Sequence, residues 1–273
     1  MKQLYGCLLL VGALALGACG RGGSATVPAG LTAAEKASVD SLTQDFNTWY
    51  DYAYYHVPLG QPFTGLDTTA RPLARPAFLE KLRTGRFIAL QLKRPTLTFK
   101  LYPLPASAAP EIARTSQQMA DTELDHYLME GKPLPAFNFQ DLSGQHYTPA
   151  NTRGKVLVLK TWYINCSACI EEFPQVNALV DKYKADPNVV FVSLALNDAP
   201  ALKEFLSHRE FKYAVVPASE QYIAESLKLN AYPTHLVVDK NGHIVKVSNR
   251  VSDLITSLAG VVPPPAAKPL AAN

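Results

Sequence analysis

Trp162-Tyr163-Ile164-Asn165-Cys166-Ser167-Ala168-Cys169 decides how this chain reads. The stretch follows the apolar run Val156 to Leu159 and precedes Ile170-Glu171-Glu172-Phe173-Pro174, the pattern of a buried strand that delivers two cysteines to the mouth of a helix. Backbone N–H groups at a helix N-terminus carry about half a positive charge, which favours thiolate over thiol at the first cysteine. Cys166 is therefore the expected exposed nucleophile. Cys169, one turn inward, is placed to attack a mixed disulfide formed at Cys166 and release the partner as a dithiol.

Two cysteines at this spacing also make half of a structural zinc site. A four-ligand site needs a second pair, no other mature cysteine is expected, and His146, His208, His235 and His243 show no paired ligand spacing. No metal and no separate cofactor are expected, the redox centre being the Cys166–Cys169 pair itself.

The segment resembles the thioredoxin superfamily and, within it, the membrane-tethered extracytoplasmic disulfide reductases of the TlpA and ResA type. The matching residues are the strand, Trp162, Cys166 and Cys169, Glu172, the helix proline Pro174, and Tyr232-Pro233-Thr234 leading into His235 to Asp239. The resemblance covers about Lys132 to Ala259. It implies an α/β thioredoxin-like fold, a central mixed sheet with flanking helices, and a cis proline at Pro233 facing the cysteines. It also implies cysteine-containing extracytoplasmic proteins as partners and a membrane electron donor.

The 273 residues carry a formal charge of +3, too small to argue for nucleic acid. Met1-Lys2 and the apolar run Leu8 to Leu16 have the layout of a secretory signal, too short for a good transmembrane span. Leu16-Gly17-Ala18-Cys19 resembles a bacterial lipobox. Residues 1–18 are then a lipoprotein signal peptide, Cys19 the lipidated N-terminus on a membrane facing the periplasm, and 19–30 a flexible tether. An ordinary signal peptide cut elsewhere is the alternative.

Residues 31–131 are expected to form a small α+β domain of unassigned role. Thr32-x-x-Glu35 is a capping-box pattern, and Val39, Leu42, Phe46, Trp49 and Ala53 recur at helical spacing, so one amphipathic helix is expected. The tyrosine-rich stretch from Tyr50 to Tyr55 reads as packing or as a ligand surface. Residues 57–76 read as loop, with a short helix from Pro76 to Leu82. Arg86 to Leu92 and the alternating Leu97, Phe99, Leu101 suggest a hairpin whose second strand is half-buried. A helix from Ile112 to Glu130 follows, stopped by Gly131 and Pro133.

Residues 132–260 are expected to hold the thioredoxin-like domain. Phe137 to Leu142 and Tyr147 form an edge hairpin, Val156 to Trp162 the central strand, and Ser167 to Lys184 a helix kinked at Pro174. Val189 to Leu196 is a second buried strand, Ala201 to His208 the crossover helix, and Tyr213 to Val216 a short strand. Ser219 and Ser252 read as helix caps, Asn241-Gly242 as a two-residue hairpin turn, and 261–273 as a disordered tail.

The Tyr232-Pro233 bond is the second anchor of the site, with Tyr232 and Thr234 expected to line a substrate groove beside Cys166. Two departures from the family pattern stand out. Asn165 replaces the usual tryptophan before the first cysteine, and Lys160 stands six residues before Cys166, where thioredoxins carry a buried acid. Glu172 is the candidate to take over that acid's role, or else simply a carboxylate compensating a helix dipole. Lys160 either approaches the sulfurs or snorkels away.

The expected function is that of a membrane-anchored thiol:disulfide oxidoreductase reducing extracytoplasmic disulfides. A peroxiredoxin-like peroxidase needs a Pro-x-x-x-Thr/Ser-x-x-Cys run, and Leu159 and Tyr163 occupy the diagnostic positions. A copper-delivery module of the same fold spaces its cysteines by three residues rather than two.

Overall fold

The computed structural model describes residues 33–262. The expected signal peptide, lipobox with Cys19, tether, and all but the first two residues of the expected tail lie outside these residues.

The first half of the described chain is α/β. Its elements are α1 (Ala33–Thr43), α2 (Phe46–His56), β1 (Thr64–Leu66), β2 (Pro72–Leu73), α3 (Arg75–Leu82), β3 (Phe87–Gln91), β4 (Thr98–Pro103) and α4 (Pro110–Met129). The strands form one sheet in the order β2-β1-β4-β3. Several expectations need correction here. The single N-terminal helix is two, because Asp45 turns extended and its carboxylate accepts from the Thr48 N–H at 2.8 Å, capping α2. The supposed loop after Val57 contains β1 and β2, and β1 pairs parallel with β4. Strand β4 is not half-buried. Phe99 and Leu101 pack with Phe78, Leu79 and Leu124 on one face, while Tyr102 packs with Val39 and Trp49 on the other. Lys100 on that second face is buried because the Glu35 carboxylate of α1 accepts from its ammonium at 2.9 Å.

The second half begins with the small hairpin β5 (Phe139–Gln140) and β6 (His146–Tyr147). It continues with β7 (Val156–Trp162), α5 (Ser167–Glu171), α6 (Phe173–Tyr183), β8 (Val189–Ala195), α7 (Ala199–Ser207), β9 (Ala214–Val216), a π-helical turn Tyr222–Ser226, β10 (Thr234–Val238), β11 (Ile244–Ser248) and α8 (Val251–Val261). The sheet order is β11-β10-β7-β8-β9. Strands β7, β8 and β9 run parallel through helical crossovers, and β10 lies antiparallel between β7 and β11. This is the thioredoxin-like arrangement of a mixed sheet with flanking helices.

Strand β7 is buried at all seven positions, as a central strand covered on both faces must be. Successive side chains alternate faces. Leu157 and Leu159 join Leu194, Leu236 and Val247 on one side, and Val156 and Val158 meet Val176, Leu179, Leu254 and Leu258 on the other. Lys160 and Trp162 continue the second face toward α5.

Local chemistry differs from expectation at three ends. Neither Ser219 nor Ser252 caps a helix: the Ser219 hydroxyl donates back to Val216 O at 3.2 Å, and α8 starts at Arg250 without a side-chain cap. At the last hairpin only Gly242 has positive φ, +86°, and Asp239 organises the longer loop by accepting from the Asn241 and His243 N–H groups. Val261, expected in the tail, ends α8, and the Tyr183 hydroxyl donates to Val262 O at 3.0 Å.

The halves are joined by more than the chain. Residues 131–134 run along the open edge of β11: Gly131 N–H donates to Ile244 O, Ile244 N–H to Lys132 O and Leu134 N–H to Gly242 O. Lys246 on β11 donates to Gly60 O at 2.6 Å and to Glu130 at 2.7 Å, and Gln61 donates to Asp253 at 2.9 Å. A Cβ at position 60 would lie 2.7 Å from an Asp253 carboxylate oxygen, so any larger residue would have to displace that carboxylate where these elements meet.

Candidate redox site

Strand β7 ends at Trp162, and the chain turns at Tyr163 to place Cys166 at the N-cap of α5. The two cysteines are disulfide-bonded, with Cα atoms 5.2 Å apart. Cys166 is 5% exposed and Cys169 fully buried, so only the first sulfur borders solvent. The Cys169 N–H donates to Cys166 Sγ at 3.2 Å, aiming a backbone dipole at the sulfur that must carry negative charge once reduced. Trp162 is the platform beneath. Its ring meets Phe173 and Phe211 edge-on at 5.3 Å and packs with both cysteines.

Glu172 is the joint between α5 and α6, and Pro174 occupies the first turn of α6, where a missing N–H costs nothing. The expected kinked helix is thus two helices with the carboxylate at the break. Lys160 neither snorkels nor ends at solvent. It is completely buried and its ammonium donates to Glu172 Oε2 at 2.6 Å. His235 Nε2 meets the same oxygen at 3.0 Å. The β7/β10 register sets His235 directly opposite Lys160, which is why both reach one carboxylate.

Burial alone would raise the Glu172 pKa, but the His235 hydrogen bond and the positive charge of Lys160 outweigh it and hold the carboxyl below its ordinary range. Burial lowers both Lys160 and His235. These directions favour a Glu172 carboxylate that accepts from Lys160 and from a neutral His235 donating through Nε2. Glu172 is more than a helix-dipole compensator, because its Oε2 already accepts from both Lys160 and His235.

The Tyr232-Pro233 bond is cis. Tyr232 meets Tyr163 edge-on at 5.5 Å and packs against the cysteine cluster. Thr234 does not line a groove as expected. It is buried, its hydroxyl donating to Ala231 O at 2.6 Å while its own N–H donates to Thr161 Oγ1 at 3.2 Å. Asn249, which sequence reasoning missed, ties this loop down by donating from Nδ2 to Pro233 O at 2.6 Å and to Thr234 Oγ1 at 2.8 Å. A cleft of about 530 Å³ opens between the Tyr232-Pro233 loop, the exposed face of α5 at Ala168 and Glu171, and, from the first half of the chain, Tyr50 and Tyr54.

A buried Cys-x-x-Cys disulfide at the end of the central strand of this fold defines a dithiol–disulfide redox protein. The Redoxin family model matches residues 129–261. The thiol-disulfide oxidoreductase ResA of Bacillus thuringiensis (strain Al Hakam) is 30% identical over 117 residues, covering 42% of this chain and 67% of that protein. ResA of Bacillus anthracis matches with the same identity and coverage. Among solved structures, a thiol:disulfide interchange protein from a Bacteroides species is 22% identical, covering 50% of this chain and 92% of that one at a TM-score of 0.44. The chain belongs to the ResA family of thiol-disulfide oxidoreductases.

Proposed function

We propose that this oxidoreductase works as a reductant of protein disulfides outside the cytoplasm, held to the bacterial envelope through lipid on Cys19 and recharged by a membrane dithiol donor. The observation that carries the reading is the asymmetry of the pair, Cys166 keeping a 5% opening to solvent while Cys169 is fully buried. In the reduced protein the Cys166 thiolate attacks one sulfur of a substrate disulfide. That bond breaks, a substrate thiolate leaves, and a mixed disulfide forms. The Cys169 thiolate then attacks the Cys166 sulfur, which releases the second substrate thiolate and closes the Cys166–Cys169 disulfide. Two electrons have passed to the substrate, whose thiolates take up protons from water. A dithiol donor reverses the last step on the enzyme.

The lipobox motif and secretory-type leader support the anchored, extracytoplasmic placement, and among the described residues no helix is long and apolar enough to cross a membrane. Insulin reduction by dithiothreitol should be accelerated by the chain from about Ala25 onward and not by Cys166→Ser. Equal acceleration by that variant would refute the reductase reading. In cells, Cys19→Ala should leave the membrane fraction, and wild-type protein found wholly soluble would refute the anchor.

A further inference from the structure

One wall of the cleft beside the disulfide comes from outside the thioredoxin-like fold. Helix α2 presents Tyr50 and Tyr54, 41% and 46% exposed, and these are among the few large apolar side chains left at the surface. They are not loose. Phe46, Tyr50 and Tyr54 stack as a ladder with ring centroids 5.7 and 6.2 Å apart. The Arg250 guanidinium donates to Tyr54 O and lies over the Tyr54 ring at 4.8 Å, which pins the ladder to the start of α8. The opposite wall carries Tyr232 and Pro233, and Glu171 extends the rim from the cysteine helix.

We infer that Tyr50 and Tyr54 are specificity-determining residues that select an extended polypeptide segment flanking the substrate's cysteine, one bearing an aromatic side chain and a nearby basic residue. The inference rests on the proposed reductase function and names its substrate class. Three features argue for that occupant. The cleft is lined by Tyr232 and Pro233 and by Ala168 and Glu171 of the helix that Cys166 caps, so a chain bound there lies along the elements that frame the disulfide. Two rings preset in a ladder offer stacking faces with little rotamer entropy to lose. Glu171 stands exposed at the rim with no ion pair among the described residues, a site for a cation on the incoming segment. Oxidised glutathione has no aromatic ring to stack on the ladder.

The test compares wild type with Tyr50→Ser/Tyr54→Ser, half-exposed positions whose replacement should leave folding intact by circular dichroism. Substrates are oxidised glutathione, a disulfide-cyclised peptide with tryptophan and lysine beside one cysteine, and the same peptide with serine for tryptophan. The ratio of kcat/KM for the tryptophan peptide to that for glutathione should fall about tenfold in the variant, the size of one good stacking contact, and the serine peptide should show no such fall. An unchanged ratio, or an equal fall for both peptides, overturns the inference. Binding of a cysteine-free tryptophan peptide to the oxidised protein, followed by fluorescence anisotropy, separates the two claims. Ladder-dependent binding without any disulfide reduction would sink the reductase reading and leave the docking surface standing.

Discussion

Each half of the molecule threads a lysine through its most buried strand and neutralises it with a glutamate. In the first half Lys100 on β4 meets Glu35, and in the second Lys160 on β7 meets Glu172. The resemblance stops at the surroundings. Glu35 keeps 30% of its side chain exposed and also accepts from the Tyr102 hydroxyl, whereas Glu172, three residues beyond Cys169, keeps 14% and is shared with buried His235. A buried lysine–glutamate pair is thus a structural device this chain uses repeatedly, Lys246 on β11 with Glu130 being another. Only the Lys160–Glu172 pair is coupled by position and by a third titrating group to the disulfide.

Breaking each pair should expose that difference most strongly in stability. Lys160→Met leaves the largely buried Glu172 carboxylate with a single neutral donor, and loss of one member of a buried pair costs about 3–5 kcal/mol. Lys100→Met leaves Glu35 able to reach water, and about 1 kcal/mol is expected. Urea unfolding midpoints measure both, and equal losses would erase the distinction.

Acid sharpens the comparison next. Burial, followed by the positive charges of Lys246 and Arg75, pushes His126 on α4 down to about 4 from 6.5. The unfolded chain binds a proton there below pH 6.5 and the folded chain does not, so this stability is present above 6.5 and lost as pH falls toward 4. Its full size is on the order of 3 kcal/mol. His126→Leu should therefore flatten the stability profile in that window. Glu123 works the other way, because burial raises it to about 7, so its contribution is present below pH 4.5 and lost as pH rises through 7. Glu123→Gln should steepen the acid loss. Chemical denaturation from pH 4 to 7.5 reads both, and unchanged profiles would mean that neither group titrates as its burial dictates.

The smallest effect belongs to the redox couple. Lys160→Asn leaves the Glu172 charge uncompensated near the sulfurs, which disfavours thiolates and moves the reduction potential to more negative values, with about 30 mV for each 1.4 kcal/mol. Lys100→Asn should leave the potential unchanged. Equilibration against a glutathione buffer checks the pair, and equal potentials for wild type and Lys160→Asn would make Lys160 purely structural.

What the sequence disclosed follows the range of the interaction. Strand β7, the cysteine pair and the helix proline are read from neighbours in the chain, and Glu172 was already a candidate partner for the site. His235 was not, because its role depends on the register that sets it opposite Lys160 across seventy-odd residues. Asn249 escapes for the same reason, and Tyr50, read as packing or as a ligand surface, has no assigned place because nothing local says that its element converges on the Tyr232-Pro233 loop. Thr234 was misplaced because the residue after the proline already turns inward as the first residue of β10. The break between α1 and α2 is hidden by an apolar period that continues across it. Strands β1 and β2 are too short to show any period.

The central claim is a division of labour between the two sulfurs, and trapping tests it most directly. Reduced Cys169→Ser, mixed with a disulfide-bonded peptide, should accumulate a stable one-to-one mixed disulfide at Cys166 by mass spectrometry, while reduced Cys166→Ser should form none at a comparable rate because Cys169 is buried. Adducts of equal yield and rate at Cys169 would contradict the account.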